Sequence, residues 1–211
     1  MNKELQHYYL QQMGIELWQE RTAGSGQQPD FDDLDRLCQE VASCQKCGLC
    51  KTRTQTVFAR GNPKAKLMVI GEAPGYHEDQ QGKPFVGRAG GLLDQMLKSI
   101  GFAEEDVYIA NVLKCRPPDN RDPSGEEIVK CSQYLSRQIA LVKPAALLAV
   151  GRFAGQFLLK NNASMAQMRS NTHYYENTPC IVSYHPAYLL RKPLDKKKAY
   201  SDLLQLKTLL C

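Results

Sequence analysis

Three cysteines lie within seven residues of this chain, in the stretch CQKCGLC at residues 44–50. Two more, Cys115 and Cys131, lie far downstream. Thiolates from two separate pairs hold either a zinc ion or an iron–sulfur cluster. The wide spacing of the second pair favours a cluster, because a compact zinc ribbon usually takes that pair from another C-x2-C motif. Cysteine also packs well as a small apolar residue, so each downstream cysteine taken alone has a simpler structural explanation.

The remainder of the chain has the composition of an ordinary globular protein. Its 211 residues suit one domain with a full hydrophobic core, and its net charge of +5 is compatible with nucleic acid as a partner. No apolar run is long enough to span a membrane, and charges and glutamines interrupt the apolar residues of the N-terminal stretch, which excludes a signal peptide. We therefore expect a cytoplasmic protein without a membrane partner, in which thiols stay reduced.

Strand and helix patterns alternate along the chain after the first three cysteines. At the start of one predicted helix, Ser124 and Glu127 fit a capping box. Such alternation predicts an α/β fold, a three-layer α/β/α sandwich around a central four-stranded parallel sheet. The predicted strands are KLMVIG (66–71), DVYIANVLKC (106–115), PAALLAVG (144–151) and PCIVSYHP (179–186), and the predicted helices are 89–102, 123–142, 152–159 and 196–210.

The N-terminal residues are predicted to form an extension to this domain. Apolar residues recur at helical spacing up to about residue 21, and TAGSGQQPD then indicates a flexible linker. Asp30 is a suitable N-cap for a helix that carries Leu34, Leu37 and Val41 on one face. We therefore divide the chain into a helix and linker at 1–30 and one domain at 31–211.

The loops that follow the predicted strands are the best candidates for a site. In parallel sheets, ligands bind beyond the carboxyl ends of the strands. Three such loops are rich in Gly, Pro, Asn, His and Glu: GEAPG (71–75), NVLKCRPPDNR (111–121) and YHPAYLLR (184–191). The first is not a phosphate loop, because it lacks G-K-[ST] and any G-x-G-x-x-G pattern, so no nucleotide cofactor is expected.

Five segments of the chain are similar, in the same order, to family 4 uracil-DNA glycosylases, the iron–sulfur branch of the uracil-DNA glycosylase superfamily. They cover residues from about 44 to 204, which is more specific than any single motif. The resemblance implies a monomeric enzyme of base-excision repair that flips uracil out of DNA and hydrolyses its N-glycosidic bond, leaving an abasic site. The segments are CQKCGLCKTR, GNPKAKLMVIGEAPGYHEDQQGKPFVGRAGGLLDQML, VYIANVLKCRPPDNRDPSGEEIVKCSQYL, PAALLAVGRFA and YHPAYLLRKP.

The resemblance also implies a [4Fe-4S] cluster. The family pattern C-x2-C-x-L-x3-R matches this chain from Cys44 and Cys47 to Arg53, and Cys50 falls on a position that is not a ligand in the pattern. The implied ligands are Cys44, Cys47, Cys115 and Cys131. The cluster is expected to be structural, because base excision needs no electron.

The resemblance implies that three side chains bind and activate uracil. Phe85, in a loop rich in Pro and Gly, is expected to stack on the base. Asn111 is expected to read it, since one amide donates to uracil O4 and accepts from N3–H, and cytosine presents the reverse pattern. His185 is expected to stabilise the uracil anion at O2, because a donor aimed at developing charge is usually a large term in catalysis.

Activation of water is the less determined part of the reaction. The turn GEAPG is expected to hold the base and sugar, with Glu72 and Ala73 beside the base. The best-known branch of the superfamily has an aspartate in this turn to position water, whereas this chain has Ala73. The candidates that remain are Glu72, Glu78 and Asn120, and Glu78 has the alternative of shaping the pocket against the methyl group of thymine.

The segment after His185 is expected to contact DNA. Tyr188, Leu189 and Leu190 are candidates to wedge into the gap that the flipped base leaves, and the alternative for the two leucines is burial in the core. Arg191 and the lysines that follow it would then lie near phosphates and make binding sensitive to salt.

Two other functions remain open at this stage. The first is a non-catalytic iron–sulfur module that binds nucleic acid on the same fold. The second is a zinc protein with a structural role. The sequence between Cys115 and Cys131 has no histidine. A related branch has one there that bonds covalently to the sugar, so we expect turnover in this protein rather than a trapped complex.

Overall fold

The computed structural model of the protein describes residues 31–169 and 171–210. The helix and linker predicted within residues 1–30 lie outside these ranges. Within them, no helix is both long and apolar enough to cross a bilayer. The strands are β1 (Arg60–Gly61), β2 (Leu67–Gly71), β3 (Val107–Asn111), β4 (Ala146–Val150), β5 (His173–Tyr175) and β6 (Thr178–Ser183). The helices are α1 (Phe31–Ala42), α2 (Tyr76–Gln81), α3 (Arg88–Lys98), α4 (Gly125–Val142), α5 (Arg152–Leu159), α6 (Met165–Arg169), α7 (Pro186–Arg191) and α8 (Lys196–Thr208).

The described strands form one mixed sheet in the order β1-β3-β2-β4-β6-β5. The predicted parallel core is confirmed, because β3, β2, β4 and β6 are mutually parallel neighbours. The sheet is wider than predicted: β1 and β5 add antiparallel edges. These edge strands have two and three residues, too short to show an alternating pattern in the sequence. Strand β3 ends at Asn111, four residues before the end of the predicted strand, so Cys115 belongs to the loop that follows.

Helices cover both faces of the sheet, as the three-layer prediction requires. Successive strand residues point to opposite faces, so Met68 and Ile70 pack with α4, α5 and α6 on one face. Leu67 and Val69 pack with α3, α7 and α8 on the other. The central strands are buried throughout, which accounts for their continuous apolar sequences.

Helix α4 begins at the predicted capping box. The Ser124 side chain accepts a hydrogen bond from the backbone N–H of Glu127, and the Glu127 carboxylate accepts one from the N–H of Ser124. Arg121 also donates two hydrogen bonds to this carboxylate, at 2.6 and 2.9 Å. The hydrogen bonds from Arg121 and Ser124 lower the pKa of Glu127 to about 2. The loop before α4 is therefore tied to the first turn of the helix.

A third buried cluster lies apart from the two faces of the sheet. Leu37 and Val41 of α1 pack there against Tyr134 of α4 and the cysteines Cys115 and Cys131. This hydrophobic cluster joins α1, which precedes the first cysteine motif, to the loop and the helix that carry Cys115 and Cys131.

Candidate active site and cysteine centre

A cavity of about 570 Å³ lies at the carboxyl ends of the parallel strands. The loops after β2, β3 and β6 line it, as expected for a parallel sheet. The structure thus brings together most of the predicted site residues. Those that line the cavity are Glu72, Ala73, Glu78, Phe85, Asn111, Asn120, His185, Tyr188 and Arg191.

Asn111 lines this cavity and carries a buried acceptor without a partner. It is the last residue of β3 and is 2% exposed, and its side-chain Oδ1 has no hydrogen-bond partner among the described residues. Buried polar atoms are rarely left unpaired, so this oxygen needs a partner from a ligand or from water. Its neighbour across the sheet is Gly71, where a Cβ atom would lie only 2.3 Å from Asn111 Oδ1 and 2.6 Å from Phe85 Cζ. A glycine is therefore required for both side chains to reach the cavity.

The backbone of Asn111 is held by a buried lysine that is not among the predicted site residues. Lys114 Nζ donates a hydrogen bond of 2.7 Å to the carbonyl oxygen of Asn111 and another to the Gln138 side chain. Gln138 in turn donates to the hydroxyl of Tyr108, at 3.0 Å. Burial lowers the pKa of Lys114 to about 7. No local sequence signal marks this lysine, because its burial depends on the packing of α4 over β3.

Phe85 is fixed by the carboxylate of Glu78. Glu78 Oε1 accepts hydrogen bonds of 3.0 Å from the backbone N–H groups of Val86 and Gly87. The Phe85 backbone has a φ of 55°, and its carbonyl oxygen lies against Gly90, where a Cβ atom would be only 1.8 Å away. Glu78 thus organises the loop that carries the aromatic ring.

His185 is neutral and has a defined tautomer. Its Nδ1 accepts a hydrogen bond of 3.1 Å from the backbone N–H of Ala187, so in the neutral ring the hydrogen is on Nε2. Burial lowers the pKa of His185 to about 4, and Arg191 lowers it further, whereas Glu78 acts in the opposite direction. Gly151, at φ 101°, packs under the ring, and a Cβ atom there would lie 3.1 Å from His185 Cβ.

Glu72 is partly buried at the end of β2. Burial and the nearby charge of Asp122 raise the pKa of Glu72 to about 7, and Arg152 partly opposes them. At neutral pH this carboxyl group is therefore divided between its acidic and basic forms, as a general base requires.

Asn120 lies at the mouth of the cavity rather than inside it. It is exposed, it follows Asp119 in a left-handed backbone conformation, and its Oδ1 accepts a hydrogen bond of 2.8 Å from Arg116 Nε. Arg121 next to it also lines the cavity, although it is not among the predicted site residues.

The segment after His185 divides into residues that reach solvent and one that does not. Tyr188 stacks on Tyr184 with ring centroids 5.0 Å apart, and its hydroxyl donates to Asp195 at 2.6 Å. Leu190 is 37% exposed, whereas Leu189 is fully buried in the core beneath α3 and α8. The burial agrees with the alternative of a core role for Leu189, because the residue would have to leave the core to act as a wedge in DNA.

Five of the cysteines that the structure describes line a second, smaller cavity near α1 and α4. Cys44, Cys47 and Cys50 come from the segment after α1, Cys115 from the loop after β3, and Cys131 from α4. In the described ranges no three His, Cys, Asp or Glu side chains are close enough to hold a single metal ion.

Hydrogen-bond donors point at two of these sulfur atoms. Arg53 Nη1 lies 3.1 Å from Cys115 Sγ, and the backbone N–H of Lys114 lies 3.3 Å from Cys131 Sγ. Lys46 and Lys130 also line the cavity. These donors lower the pKa of the two thiols, but burial outweighs them, raising the pKa of Cys115 and bringing that of Cys131 to about 11.

Comparison with known proteins agrees with this arrangement. The profile of the Uracil DNA glycosylase superfamily matches residues 58–205. The chain is 44% identical over 180 residues to the Type-4 uracil-DNA glycosylase of Archaeoglobus fulgidus, covering 82% of this chain and 90% of that protein. It is 42% identical to those of Sulfurisphaera tokodaii, over 85% of this chain and 86% of that protein, and of Saccharolobus solfataricus, over 84% and 86%. With these similarities spanning both cavities, the chain belongs to the uracil-DNA glycosylase superfamily.

Proposed function

We propose that this protein removes uracil from DNA by hydrolysing the bond between N1 of the base and C1′ of deoxyribose. The observation that carries the proposal is the unpaired buried acceptor of Asn111, a residue that lines one cavity together with His185, which has an Nε2–H donor, and Phe85. An acceptor, a donor and an aromatic face are what a flat, polar base needs for binding.

Asn111 supplies the selection for uracil. Its Oδ1 accepts from N3–H of the base while its amide nitrogen donates to O4. Cytosine has an acceptor at N3 and a donor at N4, so it would leave the buried Oδ1 unpaired, at a cost of about 1–3 kcal/mol. Lys114 holds the backbone carbonyl of Asn111 in place. Gly71 leaves room for the side-chain amide.

His185 stabilises the departing base. As the glycosidic bond breaks, negative charge spreads onto O2 of uracil, and the Nε2–H of the neutral ring donates to it. Phe85 stacks on the base and keeps its plane fixed while the sugar takes on positive charge.

Glu72 is the best supported of the three candidates for activating water. A carboxylate with a pKa near 7 takes a proton from the water that attacks C1′. Glu78 already accepts two backbone hydrogen bonds with one oxygen, and Asn120 accepts one from Arg116, so these residues act by positioning. Ala73, next to Glu72 in the cavity wall, leaves space beside the base.

We further propose that Cys44, Cys47, Cys115 and Cys131 hold a [4Fe-4S] cluster. The fit rests on thiols from three parts of the chain in one cavity, with donors directed at Cys115 and Cys131. A tetrahedral zinc ion would need sulfurs about 3.8 Å apart, from Zn–S bonds of about 2.3 Å, whereas a cluster spans a wider set of ligands. When bound, the cluster cross-links these parts and takes no part in the hydrolysis.

The partner is uracil-containing DNA, which Tyr188 and Arg191 contact at the cavity and the exposed Leu190 contacts beside them. We expect residues 31–211 to act as the catalytic domain of a cytoplasmic monomer.

The test uses anaerobically purified protein and labelled oligonucleotides with one uracil, opposite guanine, opposite adenine or in a single strand. Alkali reveals abasic sites. We expect wild type to cleave at uracil, and Asn111→Ala and His185→Ala to be slower by about a hundredfold or more. Asn161→Ala and His173→Ala, which change the same residue types outside the cavity, serve as controls. DNA binding without cleavage by cluster-loaded protein would contradict the enzyme and favour a binding module.

A further inference from the structure

Tyr76 is an exposed aromatic residue beside the candidate active site. It is the first residue of α2 and is 55% exposed, although Gly75 and Glu78 on either side of it line the cavity. Two other exposed tyrosines of the described ranges, Tyr174 and Tyr200, lie on β5 and α8. Tyr76 therefore differs from them in its position, not in its exposure.

Two neighbouring side chains hold the Tyr76 ring. Arg116 Cζ lies over the ring, 5.2 Å from its centroid, and the ring of His77 packs with it in a T-shaped arrangement, with centroids 5.5 Å apart at 78°. Arg116 is itself fixed, because its Nε donates to Asn120 Oδ1 at 2.8 Å. A ring that is already fixed loses little conformational entropy when a ligand stacks on its open side.

The Tyr76–Arg116 pair continues the wall of the cavity toward solvent. Arg116 belongs to the loop after β3 and Tyr76 follows the loop after β2, and Asn120 links the pair to the cavity lining. Tyr188, after β6, also lines the cavity. The cavity therefore has one tyrosine beside it after β2 and another after β6.

We propose that Tyr76 is a stacking platform for an unpaired base next to the uracil in single-stranded DNA, an inference that rests on the proposed glycosylase function. Aromatic rings stack on every base, and a cation against the other face adds to the attraction. In a duplex the neighbouring bases remain paired and stacked on one another, so the platform contributes less.

The experiment measures the affinity of single-stranded oligonucleotides that carry a stable abasic analogue in place of the uracil. Wild type, Tyr76→Ala and Tyr76→Phe are compared, with Tyr174→Ala as the matched control. Each flanking base is then removed in turn, which gives a double-mutant cycle between Tyr76 and every flanking position. Excision of uracil from single strands and duplexes is measured in parallel.

We expect Tyr76→Ala to weaken single-strand binding by about fivefold or more, since stacking on an aromatic residue contributes about 1–3 kcal/mol per base. Tyr76→Phe and Tyr174→Ala should bind as wild type does, and the loss should vanish when one particular flanking base is absent. The proposal is overturned if Tyr76→Ala binds single strands as tightly as wild type does. It is also overturned if Tyr76→Ala binds more weakly than wild type whichever flanking base is removed. Failure of wild type to excise uracil would instead overturn the proposed function, which keeps the two outcomes distinct.

Discussion

Gly71 and Asn111 face each other across β2 and β3, and the Asn111 amide occupies the space that a Cβ atom at residue 71 would fill. We therefore expect Gly71→Ala to push both Asn111 and Phe85 out of position. A misplacement of about 1 Å in an active site lowers the rate by about a hundredfold. The measurement is kcat/KM on a uracil-containing oligonucleotide, together with a thermal melt.

The matched control for this prediction is Gly91→Ala. Gly91 lies in α3, and a Cβ atom there would meet no other atom within 4 Å. Alanine in a helix is more stable than glycine by about 0.5–1 kcal/mol, so this variant should be fully active and melt slightly higher. Equal activity in the two variants would contradict the crowding argument.

The pKa of Glu72 predicts how excision depends on pH. The basic form of Glu72 increases as pH rises through about 7, so kcat/KM should rise with pH and level off above that value. His185 should not change kcat/KM near neutral pH, because a pKa of about 4 keeps its ring neutral there. In Glu72→Gln the rise should disappear along with most of the activity. If kcat/KM of Glu72→Gln still rises with pH, the general base is another residue.

The ion pair between Glu127 and Arg121 predicts a stability that depends on acid. The pKa of Glu127 is lowered to about 2 in the folded chain, below its value of about 4.3 when unfolded. Its contribution is therefore present above pH 4.3 and is lost as pH falls toward 2. Because Arg121 is half exposed, we expect Glu127→Gln to lose only about 1–2 kcal/mol at pH 7 in urea unfolding.

The stability lost in Glu127→Gln should be smaller at pH 3. At that pH the Glu127 carboxylate of unfolded wild type is largely protonated, and that of the folded protein begins to be. Glu126→Gln is the control, since Glu126 pairs with Lys130 on the exposed side of the same helix. A deficit in Glu127→Gln that is as large at pH 3 as at pH 7 would show that charge is not its origin.

Much of this site could be predicted because its residues follow strands. Asn111 and His185 are polar residues just past apolar runs, which places them at one edge of a parallel sheet. Lys114 could not be predicted as buried, because its partner Gln138 comes from a helix that sequence spacing does not place over β3. The pattern also could not separate Leu189 from its neighbour, since α7 has only six residues and shows no periodicity of its own.

The position of Cys50 in the second cavity gives a test of the ligand set. Cys50 lines the same cavity as the four proposed ligands. We expect Cys50→Ser to keep its iron and its absorbance near about 400 nm, and Cys47→Ser or Cys115→Ser to lose both. Cys38→Ser, on α1 before the motif, controls for loss of a thiol. Loss of iron from Cys50→Ser would place Cys50 among the ligands.

The two neighbouring leucines of α7 should behave in opposite ways when they are shortened. Leu189 is buried against α3 and α8, so Leu189→Ala should lower the free energy of unfolding by about 2–5 kcal/mol. Leu190 is partly exposed, so Leu190→Ala should leave stability nearly unchanged and slow excision from duplexes, where a wedge must replace the flipped base. Urea unfolding and kcat/KM on duplex and single-stranded substrates separate the two effects. If Leu190→Ala is as active as wild type on duplexes, the wedge must come from Tyr188 instead, whose ring stacked on Tyr184 already lines the cavity mouth.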